Sequence, residues 1–510
     1  MERIFIDGES LTLEQVIAVA RKDASVELHL SGRGRLYKSR EVIENILSQE
    51  RIVYGVTTGF GSFSDVFISR QDRDTLQRNI IMSHACGVGE PLPQDVVRAM
   101  MLLRANSLAK GCSGVRPELV ELLLNMLNGK IHPLVPAKGS VGASGDLIPL
   151  AHIALAMIGL GEVECRGKIV PSEKALQQAG LHPIELTAKE GLALINGTQY
   201  MSALGALALL DAIELFKVAT IAAAMTFEAL EGIISAFDPQ VHQVRPHCGQ
   251  RICADLMLRL LQGGDLATRQ KQKRTQDAYT LRCIPQVHGA TFDALQYIRN
   301  VLGIEINSAT DNPLVFPESG EVISCGNFHG QPLALALDFL AIAVNELGNI
   351  SERRIERLVN PALNNGLPAF LTENGGLNSG LMLLQYAAAA LVSEGKVLAH
   401  PAGVDSIPTS GNQEDHVSMG SIAAYKGMQV VENITWVIAA ELLAAARAMR
   451  FITHRPGLGS AAAFDLLCDI LPQDGGDRIL YKDLRSVYEL LHSGRIVKEV
   501  EKVAGKLLEL

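Results

Sequence analysis

Four stretches of this chain are too long and too apolar to be ordinary surface helices. The first follows Asn196-Gly197-Thr198 and reaches Phe237, interrupted by Asp211, Glu214, Lys217, Glu228 and Glu231. Those charges are too many for a bilayer span, yet they leave most of the circumference apolar. A helix of that kind is buried on several sides. Residues 332–359, 378–399 and 417–451 read the same way. The expectation is a mainly α chain with four or more long helices in a central bundle. Hydrophobic residues make up 48% of the chain and aromatics only 5%, so the core is mostly Ala, Leu, Ile and Val. That favours closely packed helices over a β-sandwich. The apolar surface of four such helices exceeds what one chain covers, so an oligomer is expected.

Polar clusters punctuate these runs. The densest is Lys138-Gly139-Ser140-Val141-Gly142-Ala143-Ser144-Gly145-Asp146, which runs into an apolar helix over 147–160. Gly145 has no Cβ, so its amide nitrogen can approach the Ala143 carbonyl carbon in conformations closed to other residues. Attack there would close a five-membered ring and expel water. Loss of the Ser144 hydroxyl as a second water would leave an exocyclic alkene, an electrophile made without an imported cofactor. Taken alone, the same residues are an ordinary helix start, with Ser144 or Asp146 as N-cap and Pro149 in the first turn. A phosphate at a helix N-terminus is a further reading. The order is not that of a P-loop, where Gly-Lys-Ser/Thr closes the motif.

Other clusters sit at junctions, where function collects. Tyr54-Gly55-Val56-Thr57-Thr58-Gly59-Phe60-Gly61 is a loop by its glycines, and Ser83-His84 opens another before a helix near 94–110. Gln276-Asp277-Ala278-Tyr279-Thr280-Leu281-Arg282, Thr310-Asp311-Asn312-Pro313, Gly326-Asn327-Phe328-His329 and Gly411-Asn412-Gln413-Glu414-Asp415-His416 follow. Thr12-Leu13-Glu14-Gln15 is a capping box within an N-terminal stretch of short strands and one helix.

A net charge of −9 argues against nucleic acid or an anionic membrane as the main partner, and the basic run 269–274 reads as a solvated loop. The eight cysteines are scattered with no CxxC, as in a reducing compartment. His242, His247, Cys248 and Cys253 match no common zinc spacing, so no metal is expected. No basic-then-apolar leader opens the chain, and a cytoplasmic enzyme is the expectation.

Taken together and in order, the Tyr54–Gly61 loop, Gly142–Leu147, Asn196-Gly197-Thr198, Gln276-Asp277 with Tyr279 and Arg282, Thr310–Pro313, Asn327-Phe328-His329 and Asn412–Asp415 resemble one family. It is that of the aromatic amino acid ammonia-lyases and aminomutases, which carry a 4-methylidene-imidazol-5-one group (MIO). The resemblance runs from about residue 4 to beyond 450. It implies MIO from Ala143, Ser144 and Gly145, no external cofactor, and a homotetramer with active sites shared between chains. It implies a mixed N-terminal region over 1–195 carrying the Tyr54 and MIO loops, a long-helix bundle over 196–455, and a C-terminal helical subdomain over 456–510.

Ser83-His84 and Asn412–Met419 follow the histidine-type pattern, in which L-histidine loses ammonia to give urocanate. Thr57 stands where that type usually has Asn, so tyrosine or phenylalanine lyase and aminomutase chemistry form the alternative. The resemblance implies Tyr54 as base for the β-proton, Asn196 as a stabiliser of the ring oxygen, and Tyr279 as an orienter of the amine or a proton relay. It further implies Arg282 as partner of the substrate carboxylate, Gln276 and Phe328 as lining, and His84 with Glu414 as the grip on an imidazole. A phenol ordinarily titrates near pKa 10, so Tyr54 as base is expected among donors or beside positive charge that lowers it.

Overall fold

A computed structural model of the chain describes residues 3–268, 272–472 and 476–508. The first three residues of the basic run 269–274, and Met1 and Glu2 of the opening segment, lie outside the described residues.

The fold is mainly helical, and among the described residues four helices exceed twenty residues: Gln199–Ala229, Ile284–Glu305, Gln331–Val359 and Gly420–Met449. Three match the apolar runs, but their ends differ. The first stops at Ala229 rather than Phe237. Glu231 turns left-handed at φ 49°, and the Ile233 N–H is taken by the Asp277 carboxylate at 2.6 Å instead of by the helix. The run over 378–399 is helical only at Met382–Leu398. The Ser379 and Gly380 amides donate to Asp477 at 2.7 and 2.8 Å, which fixes a turn before the helix begins. Ile284–Glu305 carries no continuous apolar run. Its buried positions Phe292, Leu295, Ile298 and Leu302 alternate with Tyr297 and Arg299, so the pattern is one-faced.

Two of the long helices, Gln331–Val359 and Gly420–Met449, are long and apolar enough to cross a membrane by length and composition. In each, 72% of the apolar window is buried inside the chain, as in the core helices of a globular protein.

The chain forms two compact units that interleave in sequence. The first comprises residues 1–207, 299–338 and 401–425. The Thr12 capping box forms as read, with Thr12 accepting the Gln15 N–H, and it opens helix Leu13–Lys22 between the parallel strands Arg3–Ile6 and Ser25–Leu28. Helices Gln94–Ala109 and Pro117–Asn128 supply an apolar core in which Met100, Leu102, Leu119 and Leu123 are fully buried. The strands of this unit are short. Val88–Pro91 pairs antiparallel with Pro136–Lys138, and that pairing fixes the approach to the glycine-rich loop.

The second unit comprises residues 208–298, 339–400 and 426–510. One buried node joins four helices within it. Arg354 holds Glu441 with two nitrogens, Nε at 2.5 Å and Nη2 at 2.8 Å. Thr226 and Ser351 donate to the same carboxylate at 2.9 and 2.6 Å. His288 lies 3.3 Å from Arg354 Nη1 and 3.2 Å from the Thr220 hydroxyl. Burial, then the Arg354 charge, holds the His288 imidazole well below its usual range, so it is neutral and Nε2 accepts. Among the described residues past 456 lie the helices Leu458–Ile470, Leu480–His492 and Arg495–Ala504.

Candidate active site

The glycine-rich loop is built by contacts with the segment around residue 418. The Met419 N–H donates to Val141 O at 3.0 Å, and the Ser418 hydroxyl donates to Gly142 O at 3.1 Å. Ser140 and Ser421 share a 2.6 Å hydroxyl contact. Ala143, Val417 and Met419 form a small apolar cluster beneath the loop. Gly142 sits at φ +68° with the Ser418 hydroxyl where a Cβ would stand.

Gly145 sits at φ +73° and forms a parallel bridge with Gly197. A Cβ on Gly145 would collide with the Gly197 carbonyl, so only glycine fits. The adjoining Asp146 N–H donates to Gly197 O at 2.7 Å. Two small residues and a glycine in a tightly held turn suit ring closure between residues 143 and 145. Ala143 is buried and Ser144 half-buried.

Asp146 occupies the N-cap position of helix Leu147–Met157, yet its side chain caps a different helix. Its Oδ2 accepts the Tyr200 and Met201 amides, both at 3.0 Å, in the first turn of Gln199–Ala229. Its Oδ1 accepts from Ser421 at 2.8 Å. Complete burial pushes the Asp146 carboxyl up to about 7 against these donors. Sequence reading gave Asp146 no role beyond a cap of its own helix.

Of the expected side chains Glu414 reaches Ser144, and its charge is felt by both Tyr54 and His84. The Ser144 hydroxyl lies 3.2 Å from Glu414 Oε1, and the other Glu414 oxygen accepts from Thr409 at 2.6 Å. The His84 imidazole is lowered by burial, partly offset by the Ile80 backbone and by Glu414. Ser83 stands beside it, Oγ to Nδ1 3.1 Å. Tyr54 accepts the Gly61 N–H at 3.4 Å. Contrary to expectation, the phenol is raised within this chain. Burial is the largest cause, opposed by the Gly61 backbone donor and aided by the smaller effects of the Glu414 and Asp311 charges. Thr57 is buried and spends its hydroxyl locally, donating to Arg51 O and accepting from Val53 N, each at 2.9 Å. Phe328 is half-buried in the turn before Gln331–Val359.

Asn196 Nδ2 donates to Asn312 O at 2.9 Å and to Asp311 Oδ1 at 3.4 Å. Both amide hydrogens are therefore committed, which leaves none for a ring oxygen.

Gln276, Tyr279 and Arg282 belong to the second unit. Gln276 and Tyr279 are exposed, and the Arg282 guanidinium lies over the Tyr279 ring, 4.5 Å from its centroid. Arg282 Nε donates to Asp277 O at 3.0 Å, so the terminal nitrogens remain for a carboxylate. Among the described residues, no group of three or more His, Cys, Asp or Glu side chains is placed to hold a metal ion.

The profile of the family described as aromatic amino acid lyase matches residues 11–468, and the chain belongs to that family. Among its relatives is the histidine ammonia-lyase of Alkaliphilus oremlandii, 56% identical over 98% of this chain and 99% of that one. The crystal structure of histidine ammonia-lyase from Trypanosoma cruzi superposes with a TM-score of 0.91 at 44% identity, covering 100% of this chain and 98% of the other. A tyrosine aminomutase from Streptomyces globisporus reaches 0.94 at 38% identity, covering 98% and 99%.

Proposed function

We propose that this chain is a carbon–nitrogen lyase that eliminates ammonia from L-histidine to give urocanate. One observation carries the choice of substrate: the Glu414 carboxylate lies 3.2 Å from the Ser144 hydroxyl, with the neutral His84 imidazole nearby. A carboxylate and an imidazole there can pair both ring nitrogens of an imidazole side chain. A phenyl ring would leave those groups unpaired in a desolvated pocket, a strong basis for rejection.

Ala143, Ser144 and Gly145 condense with loss of two waters to make MIO. The group supplies an electrophilic alkene that turns the substrate amine into a better leaving group. The other roles fall to ordinary side chains. Arg282 pairs with the substrate carboxylate, and Gln276 and Phe328 line the cavity. Tyr54 takes the β-proton and Tyr279 orients the amine. Within one chain Tyr54 is held protonated, so positive charge must arrive with the substrate or with a neighbouring copy. That need agrees with a homotetramer whose sites take Arg282 and Tyr279 from a second subunit. Exposed apolar residues on the helices of the second unit, among them Phe339, Leu383, Tyr386 and Val397, fit burial in such an assembly. A cytoplasmic setting is part of the same proposal.

The test offers L-histidine, L-tyrosine and L-phenylalanine separately and analyses for arylacrylates and β-amino acids. Urocanate from histidine alone supports the reading. A β-amino acid or a coumarate product would replace it with aminomutase or tyrosine lyase activity. Intact mass of the purified chain should fall two waters short of the sequence mass, and Ser144→Ala should abolish that deficit.

A further inference from the structure

Three fully buried cationic or anionic side chains support Asn196. Arg104 Nη1 donates to Asn196 O at 2.9 Å and to Gln199 Oε1 at 2.8 Å. Lys189 Nζ pairs with Asp311 Oδ2 at 2.7 Å, and neither side chain has any solvent exposure. Burial depresses the Lys189 ammonium and brings the Arg104 guanidinium down to about 10. A buried ion pair is a poor source of stability, because desolvation offsets its attraction. Its presence here calls for another reason.

The hydrogen-bond geometry supplies one. Asp311 Oδ2 is taken by Lys189, while Oδ1 accepts the Asn312 N–H at 2.7 Å and Asn196 Nδ2 at 3.4 Å. The Asn312 carbonyl accepts the other Asn196 hydrogen. A flipped amide would set oxygen against a carboxylate and a carbonyl, so one orientation alone is allowed. Asn196 Oδ1 is then buried without a partner in the chain. A buried acceptor left unpaired is costly, which marks it for a ligand donor. Asn196 adjoins Gly197, the residue bridged to Gly145 at the centre of the site. Of the groups on an amino acid substrate, the ammonium is the strong multiple donor.

We infer that Lys189 and Asp311 are positioning residues that lock the Asn196 amide so that its oxygen accepts a hydrogen bond from the substrate ammonium. The inference rests on the amino acid substrate proposed above.

The test replaces the pair in the full-length protein with apolar residues, Lys189→Met with Asp311→Leu, a change that buried pairs often tolerate. The variant should fold, and it should keep the two-water mass deficit. Its kcat on L-histidine should fall by about 30- to 100-fold. D-histidine, which carries an ammonium, should bind about tenfold more weakly, whereas 3-(imidazol-4-yl)propionate, which has none, should change by less than about twofold. Asn196→Asp gives a second readout. In the native background the new carboxylate faces Asp311 and activity drops. In the Met/Leu background the Asp311 repulsion is gone and only the Asn312 carbonyl still opposes the carboxylate, so Asn196→Asp should do less harm there than in the native background. Unchanged kcat in the double variant, equal weakening of both inhibitors, or equal harm from Asn196→Asp in both backgrounds would overturn the inference. Should the double variant fail to fold, Asp311→Asn carries the same inhibitor comparison. If the native enzyme binds neither imidazole compound, the substrate reading fails instead.

Discussion

Glu414 is gripped by Thr409 on one oxygen and reaches Ser144 with the other, so its position does not depend on its charge. Glu414→Gln should therefore leave folding intact, with an unchanged melting temperature. It should lower kcat/KM for L-histidine by about 10²- to 10³-fold, measured by steady-state kinetics, because an amide cannot answer both protonation states of an imidazole. Residues of this kind are legible from sequence, since the chemistry demands a particular type beside a recognisable loop. Lys189 and Arg104 are not. A lysine within Thr187-Ala188-Lys189-Glu190 reads as surface, and only the fold reveals that it has no exposure at all. Tyr54 shows the opposite limit. Its place in a glycine-rich loop was readable, but its pKa is raised chiefly by burial, which only the fold reveals.

Asp146 lies at the start of one helix and serves another, through the Tyr200 and Met201 amides. Asp146→Asn keeps an oxygen for those amides and should cost less than about 1 kcal/mol. Asp146→Ala leaves both without an acceptor and should cost about 2–3 kcal/mol by denaturant unfolding. The alanine variant should also show a smaller fraction of chains with the two-water deficit.

The helix Gln199–Ala229 carries a second buried acid, Glu228, which accepts the Gly457 N–H at 2.8 Å. Burial raises its carboxyl from 4.5 to about 7. A raised folded pKa means that the native chain holds a proton the unfolded chain has released. This contribution is full below pH 4.5 and is lost as pH rises through 7, a cost of about 3 kcal/mol. Glu228→Gln should thus melt higher than wild type at pH 8 and alike at pH 4.5. Long helices were legible where apolar residues ran unbroken. Ile284–Glu305 was missed because its one-faced pattern holds His288, Gly289 and Arg299, and run ends were misplaced where side chains such as Asp277 and Asp477 divert backbone amides.

If the assembly proposed above is right, the site needs two copies, and this can be tested by complementation. Ser144→Ala and Arg282→Ala are each expected to be inactive. Co-expressed, random mixing leaves about a quarter of sites with both native residues, and activity should return to about that level. No recovery would place Arg282 in the same chain as its Ser144. The interleaving of the two units along the chain had no signature in composition or periodicity.

That interleaving sets an order of events during synthesis. The glycine-rich loop leaves the ribosome early, but Ser418 and Ser421, which hold it through Gly142 and Asp146, lie 276 and 275 residues further on. A nascent chain therefore carries Ala143-Ser144-Gly145 unsupported for most of translation. Its dehydration should wait until the polypeptide is nearly complete, so stalled or truncated products ending before residue 418 should retain their full, hydrated mass.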